Sequence, residues 1–143
     1  MDDVERAQIV QACRDLVLAV TQHSDHGEAR EAAALFAEDG TLVRGGRAFT
    51  GEAELLEAYA DQPALLARHL NGGTVITVLD EEHATGVTYY LAYRHDGGGE
   101  AVELPAPLGQ PFSLGEWHDR FVRTQHGWRF ASRETRRVFV AQS

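Results

Sequence analysis

The apolar residues of this chain change their period once, and that change limits the architectures open to it. From Asp3 to Thr21 they recur at Ile9, Cys13, Leu16 and Val20, with Val10 and Val17 alongside, which is the spacing of a wide helical face. After Arg68 the helical spacing is gone. Thr74–Leu79 is β-branched and apolar, and from Ala84 to His95 the residues Val87, Tyr89, Leu91 and Tyr93 alternate with Gly86, Thr88, Tyr90, Ala92 and Arg94. Two more long strands are predicted at Ser113–Thr124 and Trp128–Val140, joined by a tight turn at Gln125-His126-Gly127. Helices first and a long antiparallel meander last predict an α+β domain.

The segments between fill in the first half. The run HSDHG breaks the first helix, with Gly27 ending it, and a short Ala-rich helix is predicted over Glu28–Ala37. Glu38-Asp39-Gly40 reads as a stop signal, and TLVRGGRAFTG as a small hairpin turning on Gly45-Gly46. A third helix starts near Gly51 and packs Leu55, Leu56 and Tyr59; Pro63 is expected to begin a last helical turn through Ala67. Asp80-Glu81-Glu82 is a polar turn, and residues 96–112 form a Gly- and Pro-interrupted loop. No linker or internal repeat divides the chain, so 1–143 is expected to be one domain. Three helices against one face of four long, bent strands make a cone with an enclosed pocket. The apolar outer face of the strands suits a second subunit.

Charge removes several function classes. The formal net charge of −9 supplies no cluster of cations for a phosphate backbone, so no nucleic-acid partner is expected. All 13 basic side chains are Arg, and without Lys neither Schiff-base nor P-loop chemistry is available. Cys13 is the sole cysteine and lies on the apolar helical stripe, where a small core residue is expected. The acidic start MDDVERAQIV does not read as a signal peptide, and no stretch reaches the ~20 apolar residues of a membrane span. A cytoplasmic location without a membrane partner is expected, and the Arg- and Ala-rich usage is that of a GC-rich bacterial genome.

An aspartate between the first two helices, LFAEDG, FTG at the entry to the third helix, RHLNGG, and WHDRFVRTQHGWRF followed by Arg133 together resemble the SnoaL-like branch of the NTF2-like superfamily. The resemblance covers nearly the whole chain. It implies a cone-shaped α+β barrel, often a homodimer, with a mostly apolar pocket; scytalone dehydratase, bile-acid dehydratase, polyketide cyclases of secondary metabolism and steroid isomerases are members, so the fold alone does not fix the reaction. By the same resemblance, Asp25 takes the place of the aspartate that pairs with a histidine in the dehydratases, and His69 takes the place of that histidine. Two tyrosines of the dehydratases have no counterpart: Ser24 stands near one and Arg44 near the other.

A carboxylate bonded to one imidazole nitrogen fixes the tautomer and frees the other nitrogen as a base. Such a pair can remove a proton beside a carbonyl and return it to a leaving hydroxyl. The resemblance thus implies a cofactor-free lyase, isomerase or cyclase acting on a small hydrophobic carbonyl compound of polyketide, terpenoid or steroid type, with no metal. Alternation groups His118 with Glu116, Arg120 and Val122, opposite Trp117, Asp119 and Phe121, and the resemblance favours His118 facing inward as a second acid or carbonyl donor. Arg94 shares a face with Tyr90 and can take a substrate carboxylate or enolate, or close the mouth by pairing with a surface acid. Tyr59 and Tyr90 offer hydroxyls or core packing. Arg133 reaches the pocket floor or makes a structural ion pair. His23, Asp25 and His26 lie close together but at a helix end, which does not assure a metal site. Against the enzyme stand two alternatives: a non-catalytic ligand-binding protein, and a scaffold like the β subunits of ring-hydroxylating dioxygenases.

Overall fold

The computed structural model describes residues 1–142, and runs α1 (Asp3–Asp25), α2 (Ala29–Ala33), β1 (Phe36–Arg44), β2 (Arg47–Thr50), α3 (Gly51–Ala58), β3 (Leu65–Val78), β4 (His83–Asp96), β5 (Ser113–Thr124) and β6 (Gly127–Val140). The six strands form one sheet in the order β2-β1-β6-β5-β4-β3. Only β1 and β6 run parallel; every other neighbouring pair is antiparallel. Register shifts in β3 and β6 bend the long strands, and the sheet curls without closing, because β2 and β3 remain its two edges. This is the expected α+β cone: the four long strands are β3 to β6 and the small hairpin supplies β1 and β2, while the parallel β1–β6 pair departs from the antiparallel sheet that was expected.

α1 begins on a capping box: the Glu5 backbone N–H donates to the Asp2 carboxylate at 2.8 Å, and the Asp2 N–H to the Glu5 carboxylate at 3.2 Å, a cap worth roughly 1 kcal/mol. Its buried face is Ile9, Cys13, Leu16, Val17, Val20 and Thr21. The helix does not stop at Thr21 but runs one turn further. Its end is a Schellman arrangement, in which the Glu28 N–H donates to the His23 carbonyl at 2.8 Å and the Gly27 N–H to that of Ser24 at 3.3 Å. Gly27 takes the left-handed conformation (φ +72°) this turn requires. The extra turn places Asp25 at the last helical position.

Two more boundaries move for traceable reasons. Glu38-Asp39-Gly40, read as a stop, lies inside β1, and α2 is correspondingly shorter than Glu28–Ala37. The Phe130 N–H captures the Leu35 carbonyl at 2.9 Å and hands the chain to β6, while a Cβ on Gly40 would stand 2.9 Å from the Phe36 side chain. The helical turn expected after Pro63 is absent, because the Gly97 N–H takes the Ala64 carbonyl at 2.7 Å and draws residues 65–78 into the sheet. His69 is therefore within a strand and not at its start.

The inner face carries the core. Ala84, Phe121 and Phe130 join Cys13, Val17 and Val20 in one buried cluster with Phe36, Leu42 and Leu55. The outer face bears the exposed Leu70, Val75, Tyr89 and Phe139. Among the described residues no helix is long and apolar enough to cross a membrane.

Candidate active site

Towards the Ala92–Arg94 end of the strands the core gives way to a cavity of about 370 Å³, and α1, α3 and the inner faces of β1, β3, β4, β5 and β6 line it. Asp25 and His69 meet on its wall. The His69 Nδ1–H donates to Asp25 Oδ1 at 2.6 Å, and the His69 backbone N–H to Oδ2 at 2.8 Å. Both carboxylate oxygens are thus used by a single residue, which fixes the imidazole in position as well as in tautomer. The Asp25 side chain is 5% exposed and that of His69 25%. A carboxylate at a helix C-terminus sits in the unfavourable end of the helix dipole. Its two donors offset this, as does Arg68, whose guanidinium bonds the Asp25 carbonyl at 3.0 Å. Nε2 is left without a protein partner on the cavity side.

The register around the imidazole is aromatic. His69 pairs with Ala92 across β3 and β4, and Asn71 with Tyr90. The His69 ring lies 5.9 Å from Tyr90 and 5.7 Å from Trp117, and those two rings stack on each other at 4.6 Å and 10°. Gly115 makes the stack possible, since a Cβ there would lie 2.6 Å from the Tyr90 ring. Beneath Trp117, Arg133 holds Asp119 through two bonds of 2.7 and 2.9 Å, with its guanidinium carbon 4.3 Å from the indole centroid. Arg133 is a cavity residue, but its charge is already answered by Asp119. Tyr59 lines the opposite wall, and burial pushes its phenol above the ordinary value against the opposing pull of Arg133 and Arg44. Among the described residues the Tyr59 and Tyr90 hydroxyls have no hydrogen-bond partner, and no buried side-chain polar atom lacks one. They offer O–H donors to the cavity space.

His118 is not in the cavity. Trp117 and Asp119 occupy the inner face of β5, so alternation turns His118 outward, where its Nε2 meets Glu116 at 2.9 Å. The inward orientation drawn from the resemblance was wrong, and the deciding signal was the burial of the large apolar Trp117 and Phe121 on the other parity. Arg94 does face the cavity, at its solvent-exposed rim, where its guanidinium carbon stands 5.0 Å from the Phe112 ring. The pocket therefore opens to solvent there and is not fully enclosed. Sequence reasoning missed Arg137 and Phe112 at this rim, and the Thr21–Asn71 hydrogen bond on the wall. No group of three or more potential metal ligands gathers among the described residues; His23 bonds Glu28 and His26 the Gln22 carbonyl.

The sequence profile of the SnoaL-like domain matches residues 5–134. The chain belongs to the SnoaL-like family. No curated protein sequence matches this SnoaL-like chain. Among solved structures it is similar to a candidate scytalone dehydratase from Novosphingobium aromaticivorans DSM 12444, with 18% identity, a TM-score of 0.79, and coverage of 99% of this chain and 92% of that one. It is also similar to an NTF2-like protein with a cystatin-like fold from Novosphingobium aromaticivorans (22%, TM-score 0.76, covering 96% and 92%) and to a type 2 hexachlorocyclohexane dehydrochlorinase, LinA (14%, TM-score 0.79, covering 98% and 92%). At these identities the likeness concerns the fold.

Proposed function

We propose that this SnoaL-like protein is a cofactor-independent lyase of the dehydratase kind, acting on a small hydrophobic carbonyl compound, with isomerisation or cyclisation open to the same reagent. The observation that carries the reading is the double hold of Asp25 on His69, which leaves Nε2 as the free nitrogen beside an aromatic wall. Nε2 takes the proton from the carbon next to the carbonyl, and the freed electron pair forms the new carbon–carbon double bond. The bond from the neighbouring carbon to its hydroxyl breaks, and the same Nε2–H protonates the departing oxygen to give water. The imidazole ends as it began. Asp25 stabilises the intermediate imidazolium. Tyr59 and Tyr90 are placed to donate to the carbonyl oxygen as it gains charge, and Tyr59, with its phenol held protonated by burial, is a donor across the working pH range. Two of the similar structures are of a candidate dehydratase and a dehydrochlorinase, enzymes named for loss of a proton with a leaving group, and this supports elimination. A purely structural cone would be filled, whereas this one holds about 370 Å³ of space.

The test uses a panel of β-hydroxy ketones led by 4-hydroxy-4-phenylbutan-2-one, in heavy water, following enone absorbance and deuterium entry beside the carbonyl. The wild-type protein should accelerate both, and His69→Gln should lose about 10²–10⁴-fold with its melting temperature unchanged. Asp25→Asn should lose catalysis with the fold retained. Full activity in His69→Gln, or binding of the panel without any exchange by the wild type, would sink the reading; the latter is what a ligand carrier would do.

A further inference from the structure

Arg94 and Arg137 share one aromatic platform. Their guanidinium carbons lie 5.0 and 5.6 Å from the ring centroid of Phe112, and all three residues line the mouth of the cavity. The platform is fixed: the Phe112 N–H donates to the Ala92 carbonyl at 2.7 Å, and the Phe112 carbonyl accepts from Ala141 at 2.9 Å. Neither arginine pairs with a carboxylate among the described residues, although the chain has 22 acidic side chains against 13 basic ones. Holding two cations on one ring is unfavourable unless an anion joins them. The ring adds some attraction to each, and among the described residues neither fork has a hydrogen-bond partner, so both can meet a planar acceptor.

The charge balance of the cavity points the same way. Its lining carries Arg44, Arg94, Arg133 and Arg137 against Asp25 and Asp61. Arg133 is neutralised by Asp119, so three positive groups face two negative ones inside a protein of net charge −9. A cleft of sign opposite to the molecule as a whole concentrates anions locally.

We propose that Arg94 and Arg137 form a carboxylate-binding subsite, and that the substrate is a hydrophobic carbonyl compound bearing an acid group. The proposal takes the cavity as the substrate site, in line with the reading above, but does not need the chemistry to be elimination. Register sets the length of the molecule. His69 lies opposite Ala92, and Arg94 follows two residues later on the same face, about 7 Å along the strand. Arg137 stands opposite Gly115, which pairs with Tyr90. The acid group therefore sits a few bonds from the carbon that His69 addresses, with the apolar body against Tyr90 and Trp117.

The probes are 4-benzoylbutyrate, an aryl ketone with a carboxylate three methylenes from its carbonyl, and its methyl ester, with binding read by calorimetry and by tryptophan fluorescence. The acid should bind about tenfold or more tightly than the ester at low salt, as expected for charge-assisted bonds, and the advantage should shrink as salt is raised. Arg94→Gln/Arg137→Gln should bind the two compounds alike, with the melting temperature held, since both side chains are exposed. His69→Gln should keep the preference, so a failure of the catalytic reading leaves this result standing. An ester that binds the wild type as tightly as the acid, a preference that survives in the double variant, or binding of neither compound at its solubility limit would overturn the subsite.

Discussion

Asp119→Asn removes one charge from the cavity floor while keeping the side chain's shape. Asp119 has no exposed side-chain surface and Arg133 has 4%, so the guanidinium left behind is a largely buried charge without its counterion. Breaking such a buried pair from one side costs about 3–5 kcal/mol, because the remaining charge keeps its desolvation penalty and loses the attraction that offset it. Unfolding entropy of about 2.1 cal/mol/K per residue gives roughly 0.3 kcal/mol/K for a chain of this length, so the melting temperature should fall by about 10–17 °C. That is a large part of the stability of an ordinary domain, about 5–15 kcal/mol. The assay is thermal and urea unfolding by far-ultraviolet circular dichroism, with Arg133→Met/Asp119→Leu as the companion. The double variant removes both charges into an apolar setting of similar volume and should recover most of the loss. A fall below about 1 kcal/mol for Asp119→Asn, or a double variant no better than the single one, would refute the view that the pair acts as a mutually dependent buried unit.

The same floor bears on Cys13, whose thiol is pushed up to about 12 by burial and by the Asp119 carboxylate. The native protein should resist thiol-specific disulfide reagents at pH 8 and react promptly in urea. Because the folded value lies above the ordinary 9.0, this group's contribution to stability is complete below pH 9 and is lost as pH rises towards 12; Cys13→Ala should flatten that decline in a series of urea melts. Gly115→Ala should destabilise by roughly 1–3 kcal/mol, since the new methyl would lie 2.6 Å from the Tyr90 ring. Its near-ultraviolet dichroism should change with loss of the Tyr90–Trp117 stack, and an unchanged spectrum would contradict the close packing described here.

The legible parts of this fold were those where one physical signal dominates. The apolar stripe of α1, the Gly45-Gly46 hairpin and the strand at 113–124 follow from period and turn chemistry alone. Boundaries set by distant partners were not legible. Glu38-Asp39-Gly40 has every local mark of a loop, yet it is strand because Phe130, far along the chain, bonds the Leu35 carbonyl that precedes it. Residues 65–67 were drawn from helix to strand in the same way by Gly97, which bonds the Ala64 carbonyl just before them. His118 failed for a different reason. In WHDRF both parities mix charge with aromatic or polar character, and an inner Asp119 looks less plausible than an inner histidine until Arg133 is known to neutralise it.

That buried pair explains why the polar lining of the cone is stable and why it is poised. Trp117 rests on Arg133, Tyr90 rests on Trp117, and His69 lies against both rings while Asp25 holds it from the helix side. The imidazole is thus fixed by hydrogen bonds on one edge and by aromatic packing elsewhere, and neither support uses Nε2. A histidine retained only for structure would gain stability by satisfying its second nitrogen. Nε2, the Tyr59 and Tyr90 hydroxyls and the arginines of the mouth all face the cavity without a side-chain partner among the described residues, where a ligand can meet them. The arrangement therefore favours a site that is completed by its ligand over one that is merely tolerated by the fold.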